Sequence, residues 1–295
     1  MKGFKVFINL LKESFQEWNA DHASRLAAAL SYYTIFSLAP FVLIILTLLG
    51  WIYQDETFSV LLLDEVANVV GESGAAVFRS IIAAASQPAE NAWAAVIGGV
   101  TAVVGATGIF VQLKDALNTA WGVTESRFKG VWGVLLVRVI SIAAILVIYF
   151  LLLVSLILST VLSVVTSRVN SSGAETAVLI QILNQVIMVG FITVIFALMY
   201  KFLPDTKIAW KDVWIGAFFT SLLFNIGKFL IGLYIGNSHI GSSFGAAGSV
   251  LVILVWVYYS AQIVLFGAEF TQVYSKRVGT KMKTGTLKIL RKAQG

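Results

Sequence analysis

Six long apolar stretches dominate the chain, at roughly 30–53, 93–113, 133–164, 177–200, 213–235 and 248–274. Each holds about 20 or more mostly apolar residues, enough to cross a hydrocarbon core of about 30 Å at about 1.5 Å per residue. The pattern predicts six membrane-spanning helices. The third is long: 131–164 gives about 51 Å of helix, so it must tilt or project beyond the bilayer. Pro40 is expected to kink the first span. Ahead of it, Phe4, Phe7, Ile8, Leu11, Phe15 and Trp18 recur at three- and four-residue spacing. Lys2, Lys5, Lys12, Glu13 and Glu17 sit between them, which predicts an amphipathic helix over 3–18 lying on the membrane surface. Segment 54–92 is acidic and reads as two short helices, about 57–70 and 73–86, broken at Gly71. Neither is long enough to span, so the segment is expected to form an outer-side helical hairpin, surface-lying or re-entrant.

Charge orients this pattern. If all six stretches span, eighteen of the 21 Lys and Arg fall on one side, in 1–29, 114–132 with Arg138, 201–212 and 275–295. Only Arg79 and Arg168 fall on the other, and Lys228 lies within a span. Positive segments stay cytoplasmic, so both termini are expected inside. A wrong span count would scramble the alternation. The expected architecture is therefore an all-α, polytopic membrane protein with six transmembrane helices, N-in and C-in, and short amphipathic surface helices. Residues 1–275 form one transmembrane domain and 276–295 a basic cytoplasmic tail, with no second domain.

Composition narrows the chemistry. At 58% hydrophobic and 12% charged, with mean hydropathy +0.88, the chain is not a soluble globular domain. Its pI near 9.4 reflects basic residues flanking spans, so anionic lipid rather than nucleic acid is the expected partner. The chain has no cysteine, which excludes disulfides and thiol chemistry. No cleavable signal peptide is expected, because the first apolar run is long and follows a charged amphipathic segment. No P-loop, HExxH, GxSxG or dinucleotide fingerprint occurs.

Polar residues inside spans are costly, and each is a candidate site. Counting from the span midpoints places Lys228 roughly 6 Å into the outer half, with Asn225 three residues before it on the same face. Gln181, Asn184 and Gln185 lie on one face of the fourth span, roughly 5–11 Å outward of its midpoint. These five are expected to line a chamber open to the outer leaflet. In the sixth span Tyr258, Gln262 and Glu269 share a stripe, with Glu269 near the cytoplasmic interface. Its depth predicts an inner-face polar cluster of Glu269, Gln262, Arg25, Arg138 and Lys114, with Arg25 or Arg138 pairing Glu269. The plainer alternatives are that Lys228 snorkels, Glu269 is a structural ion pair, and the amides only join helices.

Four ordered blocks carry a resemblance: RLAAALSYYTIFSLAPFVLI (25–44), GATGIFVQLKDALNTAWGV (105–123), 201–236 and 245–274. They resemble the YihY/BrkB family of bacterial inner-membrane proteins. The resemblance covers most of the chain and implies six spans in a bacterial plasma membrane. That family has carried the labels ribonuclease BN and serum-resistance virulence factor. The residues give the nuclease label no support. Metal-assisted hydrolysis wants clustered carboxylate or His ligands. The two histidines, His22 and His239, are predicted on opposite sides of the membrane. The chain is therefore expected not to be an enzyme and to use no cofactor or metal.

Three function classes remain. A transporter-like protein handling a lipid or other anionic amphiphile through the polar chamber ranks first. An ion- or proton-coupled transporter with Glu269 as carrier ranks second, weakened because no carboxylate lies near the midplane. A non-transporting envelope scaffold ranks third. The expected partners are membrane phospholipids, and a second copy of the chain or an envelope protein.

Overall fold

The computed structural model describes residues 2–50, 79, 108–123, 174–237 and 246–280. All regular structure among the described residues is helical. We label the helices α1 (Lys2–Ala20), α2 (Ala23–Gly50), α3 (108–120), α4 (Ala174–Phe202), α5 (Trp210–Asn237) and α6 (Ala246–Arg277). Among the described residues, three stretches, Gln185–Phe202, Trp210–Ile231 and Val250–Arg277, are long and apolar enough to cross a membrane. The third stretch at 133–164, the hairpin at 54–92 apart from Arg79, and the tail beyond 280 lie outside the described residues. So do most of the stretch at 93–113 and the side chains of α2 beyond Ser37.

Helix boundaries follow local chemistry. The α1–α2 reversal takes two residues, Asp21 and His22, and His22 adopts a left-handed φ of 53°. α2 starts at Ala23, ahead of the apolar stretch itself, and remains helical through Pro40. The early start has a packing cause: Ala23, Ala27, Leu30 and Ser31 form a buried stripe along the face that meets α6. Small side chains there let the helix backbones approach closely. α3 likewise continues past the predicted end at 113, through Ala116, Leu117 and Ala120, which are buried with Trp121. It stops at Gly122, whose φ of 66° is open to glycine without cost. Gly122 N donates to Thr119 O at 2.9 Å and Val123 N to Asn118 O at 2.8 Å, the paired bonds of a Schellman cap. α4 ends before Pro204, which cannot continue a helix.

α6 is the hub, packing against α5, α2 and α1, while α4 packs chiefly on α5. The α5–α6 seam is interlocked by three glycines. Thr271 of α6 fills the space beside Gly216, and Tyr259 and Ile263 fill the space beside Gly227. From the other side, Thr220 and Tyr200 occupy the space beside Gly267. Tyr200 Oη fastens the three helices, lying 3.1 Å from Thr220 Oγ1 and donating to Val264 O at 2.7 Å. The apolar core beneath runs through Leu117, Trp121, Tyr200, Val213 and Leu265.

α1 packs on α6 through Leu10 and Ser14, with Phe7 edge-on to Phe219 and Phe270. Glu13 pairs with Arg277 at the end of α6. Beside this face α1 leaves Phe4, Ile8 and Phe15 exposed.

Candidate functional site

One end of the bundle gathers buried polar side chains from four segments. Lys114 and Asn118 stand one turn apart on α3, and both reach Asp205 in the short turn between α4 and α5. Lys114 Nζ lies 3.0 Å from Asp205 Oδ2, with side chains 9% and 7% exposed. Asn118 Nδ2 donates to the same oxygen at 3.3 Å, and its Oδ1 accepts from Asp205 N at 2.8 Å. The carboxylate is thus met by an ammonium and an amide, and its own backbone N–H is used as well. Lys201 in the last turn of α4 donates to Ile208 O and sits 5.4 Å from the Trp210 ring centre. Placing a cation there also suits the negative end of the helix dipole.

A second carboxylate ties α5 to the end of α6. Asp212, in the first turn of α5, accepts from Ser275 Oγ at 2.7 Å and from Thr280 Oγ1 at 2.6 Å and N at 3.2 Å. The segments carrying Lys114, Asp205, Asp212, Arg277 and Glu13 are therefore joined at one end of the bundle. These are the segments that the charge pattern assigns to one side of the membrane.

The predicted inner-face residues do not all meet. Glu269 is 0% exposed on α6, beside the equally buried Gln272 three residues on. Lys114 is buried, and Asp205 is its ion-pair partner among the described residues. Arg25 is exposed at the start of α2 and makes no ion pair there, which corrects its expected pairing with Glu269. The physical reason is position: Arg25 falls in the first turn of α2, at the α1–α2 reversal, on the exposed side of the helix. Arg25 instead lines a polar cleft of about 280 Å³ with Asn19, His22 and Ser24. Gln262 lines an apolar groove between α1, α5 and α6. Arg138 lies outside the described residues.

In the predicted outer set, Gln185 Nε2 donates to Asn225 Oδ1 at 3.5 Å, joining α4 to α5 on an exposed face. Asn225 Nδ2 in turn donates to Ser221 O at 2.9 Å, and Ser221 Oγ lies 2.8 Å from Thr193 Oγ1. Lys228 is exposed one turn beyond Asn225 and has no hydrogen-bond or ion-pair partner among the described residues. The side chains of Gln181 and Asn184 lie outside the described residues.

Sequence reasoning missed Asp205, Asn118, Asp212 and Gln272. The first and third sit at helix ends, where periodicity gives no signal. Asn118 and Gln272 lie on helices that counting placed beyond a span or at its edge. The only cue to Asn118 was the alternation of polar residues with Ala and Trp in DALNTAWG.

The comparisons with known proteins agree with a membrane architecture. A family model described as virulence factor BrkB matches residues 14–287. A protein of Bacillus subtilis (strain 168) whose name calls it ribonuclease-like is 24% identical over 278 residues, covering 92% of this chain and 96% of its own length. A UPF0761 membrane protein of Pseudomonas paraeruginosa is 29% identical over 257 residues, 84% of this chain. Another from Teredinibacter turnerae is 26% identical over 277 residues, 92% of this chain. The chain spans only 58% and 61% of these two relatives. No solved structure matches it. With three helices fit to cross a membrane among the described residues and a match over nearly its whole length, the chain belongs to the BrkB family of membrane proteins.

Proposed function

We propose that this protein handles a lipid or other anionic amphiphile, taking the headgroup at the polar patch formed by Gln185, Asn225 and Lys228. The membrane frame of the proposal is six spans in a bacterial inner membrane with both termini cytoplasmic, and no catalytic chemistry. The observation that carries it is the Gln185–Asn225 hydrogen bond on an exposed face, with Lys228 one turn away on the same helix. An exposed cation on a membrane-crossing helix faces hydrocarbon unless it snorkels or meets an anion. The neighbouring amides add donors that a phosphate or carboxylate accepts. Lysine serves such an anion as a point charge, so arginine can replace it.

Native mass spectrometry of the purified protein tests this. Lys228→Ala is expected to lower co-purified anionic phospholipid, and Lys228→Arg to retain it. Equal retention by the wild type and the alanine variant removes the reading. An ion- or proton-coupled transporter is the second reading, favoured by the complete burial of Glu269 on a membrane-crossing helix. A proton-dependent flux lost in Glu269→Gln, with thermal stability unchanged, would place it first.

A further inference from the structure

We infer that the protein holds one anionic glycerolipid in the groove between α1, α5 and α6, with its phosphate at the α1–α2 turn. The groove has a volume of about 340 Å³. Its walls are Leu223, Ile226 and Leu230 of α5, Ile263 and Phe266 of α6, and the stacked rings of Phe15 and Trp18 of α1. Gly227 forms its floor, where a Cβ would lie 2.8 Å from Tyr259 Cε1. Both α5 and α6 are long and apolar enough to cross a membrane, so the groove opens where hydrocarbon chains surround the protein. This commits the occupant to a bilayer lipid.

Two polar atoms on the groove's lining residues ask for more than a hydrocarbon chain. Trp18 Nε1 and Gln262 Oε1 are both inaccessible to solvent and have no hydrogen-bond partner among the described residues. One is a donor and the other an acceptor. Leaving either buried and unpaired is costly. An acyl chain satisfies neither. A turn of either side chain about its outer torsion would bring the atom into the groove, where the ester layer of a glycerolipid supplies a carbonyl for the indole N–H and its bound water a donor for the amide oxygen.

Trp18 is also a wall of the polar cleft at the α1–α2 turn. The apolar groove and the polar cleft therefore adjoin at one side chain, in the order of a lipid's tail, ester and headgroup. The cleft is lined by Asn19, His22, Ser24 and Arg25. The left-handed His22 turns the chain there and seats α1 and α2 on either side of it. Arg25 is exposed and unpaired among the described residues, so its planar fork of donors is available to a phosphate. This site is separate from the Lys228 patch and does not rest on that reading.

The test uses full-length protein stripped of lipid in detergent and titrated separately with dioleoylphosphatidylglycerol and dioleoylphosphatidylcholine. Native mass spectrometry reads the bound lipid. Arg25 and Ile226 are both exposed, so changing them leaves the core intact, and melting in lipid-free detergent verifies this. Arg25→Gln is expected to weaken phosphatidylglycerol binding about tenfold and phosphatidylcholine binding by less, because the choline ammonium already offsets the charge of its phosphate. Ile226→Trp, which fills the groove, is expected to weaken both lipids by a similar factor. Lys228→Ala is expected to leave this binding event unchanged, so its outcome bears only on the other patch. Anything less than both losses overturns the inference. Arg25-dependent binding of inorganic phosphate that ignores Ile226→Trp would overturn it in favour of a free anion. A dimer that Ile226→Trp dissociates would give the groove to a second copy of the chain.

Discussion

At the scale of single residues, the most constrained group is the Asp205 carboxylate. It sits in a turn rather than a helix, yet it is nearly buried and receives Lys114 and Asn118. Removing one member of a buried ion pair strands the other charge. Lys114→Met is therefore expected to destabilise the protein by about 3–5 kcal/mol in chemical unfolding in micelles. Adding Asp205→Leu should recover much of that loss, because two matched apolar groups replace the pair. A double variant no more stable than the single one would show that Lys114 acts by packing alone. Lys114 was legible in the sequence as a cation at the end of the bundle, since its distance from the apolar stretch fixes its height along the helix. Asp205 was not, because helical periodicity says nothing about where a turn carboxylate points. Gln185 and Asn225 were legible as a depth-matched pair, because both lie within regular helices where rise per residue converts to height. Arg25 misled the same counting. Its depth near the inner face suggested Glu269 as a partner, whereas it falls on the exposed side of the first turn of α2.

At the scale of elements, small residues decide which helices touch. The three atoms nearest the missing Cβ of Gly216 all belong to Thr271, whereas Gly190 has nothing within 4 Å. Gly216→Ala is therefore expected to lower stability by about 1–3 kcal/mol through overpacking. Gly190→Ala should be neutral or slightly stabilising through helix propensity. Equal melting of the two variants in the same detergent would refute the interlocked seam. Helix existence was readable from apolar length, and the amphipathic α1 from its three- and four-residue spacing. The partner of each face was not. Lipid-facing and helix-facing positions are both apolar, so α4, α5 and α6 carry little asymmetry that marks their buried sides. Only the placement of Gly and Thr separates a seam from a lipid-facing surface.

At the scale of the whole molecule, polar side chains from α1, α3, α5, α6 and the α4–α5 turn meet at one end of the bundle. On the proposed orientation that end is cytoplasmic. The chain has no cysteine, so single cysteines report topology cleanly. Those at positions 65, 170 and 240 are expected to react with an impermeant reagent added outside intact cells, and those at 10, 125, 206 and 285 are not. Outside reaction at 125 or 206 would overturn the orientation. The seam of α5 and α6 also bears on how such a molecule moves. Gly216 and Gly227 lie eleven residues apart, about 16 Å along the axis, and each is filled by a side chain of α6. Knobs lodged in notches at two heights act like cogs and forbid sliding or rolling of one shaft against the other. The two helices thus form a stator, and any gating stroke belongs to their neighbours. Spin labels across α5 and α6 should report one narrow distance whether lipid is bound or absent. Labels spanning α4 and α5 near Gln185, where a single long amide bond replaces the cogs, should report a distribution that broadens or shifts.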